Sequence, residues 1–190
     1  MKTLILIPIL CAATCFAQAP EATQAAAQPE QSPSSATFFG QAPGTKTITA
    51  QLEPKSGSKV TGYVLFTKVG DQVYAAGSIQ NLTPGKHGLH IHENGDCSAP
   101  DAASAGAHFN PTHQHHGGPK TAQRHAGDLG NIEADASGNA PLNWTGKLSL
   151  SGNDSIIGKS LVVHEKEDDL KTDPAGNSGA RIACGVIKEQ

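Results

Sequence analysis

The sequence predicts an all-β fold, an antiparallel sandwich or barrel, on the strength of three observations. Apolar residues alternate with polar ones in several short segments, which is the period of a half-buried strand. Gly (21) and Pro (12) are frequent among the 190 residues and favour turns over long helices. Two long segments, 95–131 and 165–180, lack the strand pattern, and loops of that length in a compact domain are usually functional.

The first three strands are predicted from alternation and from one turn. Ile48, Ala50 and Leu52 place an apolar residue at every second position, and residues 60–66 repeat that period. Gly70 and the aspartate after it form a turn signal, so residues 73–79 are expected to return beside the preceding strand.

The later strands are predicted from short apolar runs that end at turn residues. Residues 87–93 follow the loop NLTPG at 81–85 and stop at Asn94–Gly95. Further strands are expected at 147–151, 160–164 and 181–187. Short strands joined by Gly- and Pro-containing turns are typical of an antiparallel sandwich or barrel.

The N-terminal 17 residues have the pattern of a signal peptide. Lys2 is followed by an apolar run at 4–15 that is shorter than the ~20 residues needed to cross a bilayer. Cys15 and Ala17 are small residues at the −3 and −1 positions of a cut after residue 17. A buried N-terminal strand or helix is one alternative. A lipid-modified Cys15 is another, although the residues before it lack the usual bulky apolar residue.

The segment 18–45 is predicted to be a disordered tether to a folded domain at 46–190. Residues 18–36 contain no apolar side chain larger than Ala or Pro. Such a composition buries too little surface to offset its ordering entropy. Whether Phe38 and Phe39 dock on the domain is not decided by the sequence.

Charge and cysteine usage narrow the function classes. The formal net charge is −3 with both signs spread along the chain, and the absence of a basic stripe argues against a nucleic-acid partner. Removal of the signal peptide leaves Cys97 and Cys184. Two cysteines in an exported chain favour one disulfide, while two buried thiols or two thiolate metal ligands are the alternatives.

The histidines are unusually concentrated. Eight of the nine lie between His87 and His125. A single histidine is more often a surface or hydrogen-bonded residue, but this density favours metal binding. His90 and His92 are two apart on a predicted strand, so both imidazoles project from one face. His164 ends another apolar run and can supply a third nitrogen.

A second set of candidate ligands lies on the long loop. His108, His116, His125 and Asp128 offer three imidazoles and a carboxylate, a donor set that suits tetrahedral zinc. The nitrogen-only set fits copper by ligand preference. Spacing alone does not assign the metals, so a di-zinc hydrolase on a β scaffold stays open, as does a module that stores or delivers metal without turnover.

At this point the sequence resembles a known family, the copper-zinc superoxide dismutases, over about residues 46–187. The likeness is carried in matched order and spacing by six segments, GLHIHENGDC (88–97), SAGAHFNP (104–111), HHGGPK (115–120), RHAGDLGN (124–131), SLSGNDSIIGKSLVVHEKEDDL (149–170) and GNSGARIACGVI (176–187). The resemblance implies a Greek-key sandwich or barrel with a long metal-binding loop and a long electrostatic loop. It implies dismutation of superoxide with copper and zinc as cofactors.

The resemblance also implies the metal ligands. The residues that match the copper ligands are His90, His92 and His164. His108 matches the histidine that bridges both metals, leaves copper on reduction and carries a proton to peroxide. The residues that match the remaining zinc ligands are His116, His125 and Asp128.

Further roles follow from the same resemblance. Arg181 matches the arginine that binds the superoxide anion beside copper, and Asp168 matches a carboxylate that links a copper histidine to a zinc histidine. Cys97 and Cys184 match the family disulfide. His87 is expected to be structural. A homodimer is consistent with the family, but no pattern here identifies an interface.

The chain departs from many family members between Asp169 and Arg181. The segment LKTDPAGNSGA is short, lacks the paired glutamates often found there, and has Ala175 where a channel threonine is common. Lys171 is the nearest positive side chain that could help to guide superoxide to the site. The expectation is an active enzyme, exported to the periplasm or the extracellular space, whose guiding charges are arranged differently. His113 and His115 have no family role and are expected to be exposed.

Overall fold

The structure is a computed structural model and describes residues 47–190. The predicted signal peptide, the tether and the Cys15 alternative lie outside these residues. The described part contains eight strands and a short 3-10 helix at Ala103–Ala105. The strands are β1 Ile48–Pro54, β2 Thr61–Val69, β3 Gln72–Gln80, β4 Gly85–His92, β5 Asp128–Ala134, β6 Ala140–Gly146, β7 Ser160–His164 and β8 Arg181–Glu189.

The strands form one antiparallel sheet that curls into a nearly closed barrel. Their order is β5-β4-β7-β8-β1-β2-β3-β6, and β5 and β6 at the two ends contact each other. The connections from β3 to β4 and from β6 to β7 cross over intervening strands, which is a Greek-key arrangement. The all-β Greek-key prediction is confirmed.

Strand alternation fills the barrel as the sequence predicts. Ala50 and Leu52 of β1 are buried while Gln51 between them is exposed. In β4 both faces are buried, because Leu89 and Ile91 enter the core while the alternating His90 and His92 face a covering loop. Full burial of a polar face requires that its donors and acceptors find partners, so β4 is where the loops must supply them.

Two parts of the strand prediction are wrong. Residues 147–151 form no strand, and Ser149 makes only an isolated bridge to Ser155. Leu148 and Leu150 alternate there because they pack on the core from a loop. Conversely, β5 and β6 were not predicted, and β5 begins at Asp128, inside the segment expected to be loop.

A disulfide joins the long loop to the last strand. Cys97 and Cys184 are bonded with their Cα atoms 5.7 Å apart and 87 residues apart in sequence. The predicted disulfide is therefore confirmed. Cys184 is fully buried and packs with Ala102 and Ala105 of the loop. The bond holds the loop that follows Cys97 against β8, where Arg181 begins the strand. The described part of the chain has no helix with the length and apolarity needed to cross a bilayer.

Candidate metal centre

Two groups of buried donors lie side by side between β4, β7 and the long loop. Within each group the candidate ligand atoms lie within 4.8 Å of one another. The nitrogen cluster consists of His90, His92, His108 and His164. The mixed cluster consists of His108, His116, His125 and Asp128. The structure thus brings together the residues of each predicted set, with His108 in both.

The backbone explains how the nitrogen cluster forms. His90 and His92 share one face of β4, and β7 pairs with β4 so that His164 lies at the end of the neighbouring strand. His108 reaches the same place because it forms an isolated antiparallel bridge with His92. The ring centroids of His90 and His108 are 4.0 Å apart. Two strands and a returning loop therefore meet at one point.

Unpaired nitrogens mark the side of each ring that faces a cluster. Among the described residues, Nδ1 of His90 and Nε2 of His108 are buried and lack a hydrogen-bond partner. The buried Nδ1 of His116 has no partner in good hydrogen-bond geometry, although the Asp128 carboxylate lies 3.1 Å away. The Nε2 atoms of His92 and His164 face each other at 3.4 Å. Buried polar atoms are almost always satisfied, so several orphaned lone pairs converging on one place indicate a missing cation. The residues therefore fit metal ions.

Asp128 is the centre of the mixed cluster. Its Oδ1 lies 2.9 Å from Nδ1 of His108 and 3.1 Å from Nδ1 of both His116 and His125. Its Oδ2 accepts backbone N–H bonds from Gly117 and His125 at 3.0 Å each. Three imidazoles and one fixed carboxylate oxygen are the donor set of a closed tetrahedral zinc site.

Asp168 links the two clusters from behind. Its Oδ2 lies 2.9 Å from Nε2 of His90, and its Oδ1 lies 2.8 Å from Nε2 of His116. Asn131 holds it in place, because the Asn131 amide accepts from the Asp168 backbone N–H at 2.8 Å and donates to its carbonyl at 2.9 Å. Carboxylates in this position fix the tautomer and orientation of the histidines that they contact.

Gly176 closes over this link with no room for a side chain. Its φ is +61°, and a Cβ atom there would collide with the Asp168 carboxylate and lie 2.8 Å from Nε2 of His116. Only glycine combines this backbone conformation with so close an approach. The loop at 165–180 therefore seals the carboxylate from solvent.

Arg181 lies beside the nitrogen cluster. It pairs with His164 across β7 and β8. Its Nη1 donates to the Ala102 carbonyl and its Nη2 to the Gly106 carbonyl, both at 2.7 Å. The Gly106 carbonyl lies 3.0 Å from Nδ1 of His92, so one oxygen orients both side chains. Arg181 lines an open cavity of about 580 Å³.

Burial sets the protonation of the nitrogen cluster. It lowers the pKa of His92 and of His164 well below the usual value, and neighbouring histidines and Arg181 lower it further. Burial also lowers the pKa of His108, to about 4, despite its bond to Asp128. These three rings are neutral near pH 7, which is the form that binds a metal ion.

The mixed cluster behaves in the opposite way. Burial acts to lower the pKa of His116, but hydrogen bonds to Asp128 and Asp168 outweigh it and raise the pKa to about 9. Burial acts to raise the pKa of both carboxylates, and their bonds to histidines and backbone N–H groups hold it well below the usual range. Near pH 7 both carboxylates are therefore ionised while His116 is protonated, and a cation that displaces this proton meets the full negative charge of Asp128.

Other histidines lie outside the clusters. His87 is buried, with Nδ1 2.9 Å from the His164 carbonyl and Nε2 2.8 Å from the Thr83 carbonyl. It joins β4 to β7 behind the nitrogen cluster, which agrees with its predicted structural role. His113 and His115 are exposed as expected, and Nδ1 of His115 lies 2.6 Å from Asp173.

Three residues of the site are not apparent from the sequence: Asn131, Gly106 and Gly176. Asn131 pairs with β4 at Gly88, and Gly106 holds Arg181 through its carbonyl. A backbone carbonyl gives no residue-type signal, and an asparagine in the middle of a β-strand gives none that points to a distant loop. All three act through contacts that only the fold creates.

A Greek-key barrel with two adjoining clusters of metal-ligand side chains, and an arginine beside one of them, has the design of a two-metal centre with an anion-binding position. The family model for copper/zinc superoxide dismutase (SODC) matches residues 60–187, and the chain belongs to that family.

The chain is similar to named relatives over most of its folded part. It is 48% identical over 140 residues to superoxide dismutase [Cu-Zn] 4 of Dictyostelium discoideum, which covers 69% of this chain and 92% of that protein. It is 42% identical over 137 residues to an extracellular superoxide dismutase [Cu-Zn] of Haemonchus contortus, covering 68% and 74%. A crystal structure of the clock protein EA4 matches with a TM-score of 0.69 and 41% identity, covering 75% of this chain and 93% of that one.

Proposed function

We infer that the chain is a copper-zinc superoxide dismutase that converts two superoxide anions and two protons into dioxygen and hydrogen peroxide. The observation that carries this function is the position of His108, whose two nitrogens face two different clusters. Nδ1 lies beside Asp128 in the mixed cluster, and Nε2 is unpaired among the nitrogens of the other. Family membership supports the same reaction and both metals.

The proposed ligand sets follow the two clusters. Copper is held by His90, His92, His108 and His164, and zinc by His108, His116, His125 and Asp128. A set of nitrogens suits copper, and three nitrogens with a carboxylate suit zinc. Asp168 is the carboxylate that orients one ring of each set. When bound, copper supplies a one-electron step in each direction, while zinc supplies charge without a redox step.

Arg181 is proposed to bind the superoxide anion. Its guanidinium is held by the carbonyls of Ala102 and Gly106 at the wall of the open cavity, next to the nitrogen cluster. Two of its N–H groups are fixed by these bonds, so the remaining donors have a defined direction. A positioned guanidinium stabilises an anion by charge-assisted hydrogen bonds without reorganising.

His108 is proposed to move a proton at Nε2. While Nε2 is not a metal ligand it can carry a proton, and because burial disfavours the charged ring, that proton would be readily given up to a basic oxygen held beside Arg181. Nδ1 lies 2.9 Å from Asp128 in the mixed cluster, and a zinc ion bound by both would keep the ring in place during the transfer. The two protons of hydrogen peroxide then come from His108 and from water.

The proposed setting is outside the cytoplasm. The disulfide between Cys97 and Cys184 suits an oxidising compartment, and one relative is named as extracellular. We further propose that residues 1–17 are a signal peptide, that 18–45 form a tether and that 46–190 form the enzyme domain. The mature protein is then released to the periplasm or the extracellular space, with lipid attachment at Cys15 as the alternative.

Metal analysis followed by a superoxide-decay assay tests the function. We expect one copper and one zinc per mature chain and rapid decay of superoxide. His164→Ala should lose copper and activity. Arg181→Ala should keep both metals and lose about tenfold or more in rate, the scale of a charged hydrogen bond. His113→Ala, an exposed histidine outside both clusters, is the matched control and should behave as wild type.

Two other outcomes would contradict the proposal. Metal-loaded wild-type protein that does not accelerate superoxide decay would indicate a storage or delivery module. Hydrolytic activity that persists in copper-free protein carrying two zinc ions would indicate a hydrolase.

A further inference from the structure

The cavity beside the positively charged Arg181 is also lined by a negatively charged residue, Asp101. Among the described residues that line it, only Asp101 and Arg181 are charged, and the others are serine, alanine or glycine. Asp101 is exposed. Gly179 of the lining lies against the side chains of Glu165 and Lys166, which are exposed and opposite in charge. Glu93 lies behind the lining, where its Oε1 accepts the backbone N–H of Ala107 at 3.0 Å, so Asp101 is the carboxylate of the lining itself and Glu93 is a second one nearby.

The fold fixes Asp101 close to Arg181. Ala102, the next residue, is buried in the left-handed conformation, and its carbonyl accepts the Nη1 bond from Arg181 at 2.7 Å. Oδ1 of Asp101 accepts the backbone N–H of Ala103 at 2.9 Å, which holds the carboxylate at the start of the 3-10 helix. Burial lowers the pKa of Arg181, and the charge of Asp101 acts in the opposite direction.

We propose that Asp101 is a rim charge that opposes the approach of superoxide and other small anions to Arg181. This role rests on the proposed dismutase function for its substrate. A carboxylate that shares an opening with the anion-binding guanidinium cancels part of the attraction felt by an incoming anion. Asp101 is thereby a residue that limits anion capture without touching the metal ligands.

Asp101→Asn isolates the charge. The asparagine carbonyl oxygen still accepts the Ala103 N–H, so the loop that holds Arg181 is retained while the negative charge is removed. Asp135→Asn is the matched control. Asp135 is also exposed, its Oδ1 also accepts backbone N–H bonds, from Ser137 and Asn139, and it does not line the cavity.

The first measurement is the second-order rate constant for superoxide decay per copper, followed as ionic strength is raised. Asp101→Asn should increase it about two- to threefold at low salt, the effect of one unit charge at a solvated opening. The gain should disappear as salt approaches about 1 M, where screening is nearly complete. An unchanged or lower rate, or an equal gain in Asp135→Asn, overturns the proposal.

The second measurement does not need turnover. Azide, a small monovalent anion, is titrated into copper-loaded protein and followed by visible absorption. Its dissociation constant should fall by about the same two- to threefold in Asp101→Asn only. If Asp101→Asn binds azide more tightly while neither wild type nor any variant consumes superoxide, the role of Asp101 is supported and the dismutase function is refuted. If wild type is active but neither measurement responds, the rim charge falls and the function stands.

Discussion

Zinc binding to the metal-free domain should release a proton from His116. The bonds to Asp128 and Asp168 raise the pKa of this ring to about 9, against the effect of its burial. At pH 8 such a ring is about 0.9 protonated, whereas an ordinary histidine of pKa about 6.5 is only about 0.03 protonated. Zinc needs the free nitrogen, so binding must displace that proton.

The expected release at pH 8 is therefore about 0.9 proton per zinc, and the apparent zinc affinity should fall about tenfold for each pH unit below 9. The sign follows from the raised pKa, because the fraction of His116 that carries the competing proton rises as the pH falls. Calorimetric titration in buffers of different ionisation enthalpy gives the number of protons from the slope of the observed enthalpy.

Asp168→Asn removes one of the two carboxylates that hold the proton. The release at pH 8 should fall in this variant, while the remote exposed substitution Asp135→Asn should leave it unchanged. Wild-type protein that binds zinc at pH 8 without releasing a measurable proton would refute the account of how the two carboxylates act on His116.

Three further outcomes are expected. Gly176→Ala should lose zinc and destabilise the fold by about 2–4 kcal/mol, because of the left-handed φ and the collision with Asp168. Gly152→Ala is the control, since Gly152 also has a positive φ but lies in open space, and this variant should keep its zinc. Equal effects of the two substitutions on denaturant unfolding and zinc content would contradict this. The double change of Cys97 and Cys184 to alanine opens a loop closed across 87 residues and should cost about 4–5 kcal/mol of unfolding free energy, and a cost below about 1 kcal/mol in chemical denaturation would be inconsistent with that reasoning. In metal-free protein His92, His108 and His164 have depressed pKa values, so they stay neutral when folded but take up protons near pH 6.5 when unfolded. Their contribution to stability is therefore complete above pH 6.5 and is lost as the pH falls towards 4. A melting temperature that does not fall over this range would exclude this contribution.

The sequence predicted the strands whose own residues carry a signal, either an apolar alternation or a short apolar run. The alternation at Ile48, Ala50 and Leu52 corresponds to β1, and the predicted strand at 160–164 coincides with β7. Each of these segments buries one or both faces, and the distribution of apolar residues along a segment indicates which faces are buried.

The unpredicted strands lack that signal for physical reasons. β5 starts on Asp128, a candidate ligand, and β6 contains Pro141 and ends on Gly146. Their place in the sheet comes from pairing with β4 and β3, which a local pattern does not contain. The false strand at 147–151 shows the converse, since alternating leucines report an apolar contact and not a partner strand.

The candidate site was predictable to the extent that side chains carry its chemistry. Histidine spacing and family resemblance together name the residues of both clusters. What they do not give is the role of backbone groups, such as the Gly106 carbonyl that contacts both Arg181 and His92. Nor do they give the placement of Asp101, because it depends on how a turn folds against β8.

The two clusters hold residues in common, since His108 belongs to both and Asp168 contacts a ring in each. Occupancy of one cluster therefore fixes rings that the other also requires, and the second ion meets a partly ordered set of donors. Thermodynamic linkage makes such help mutual, so whatever factor zinc adds to copper affinity, copper must add to zinc affinity. A chain deprived of either metal would consequently bind the other less tightly than a chain that holds both.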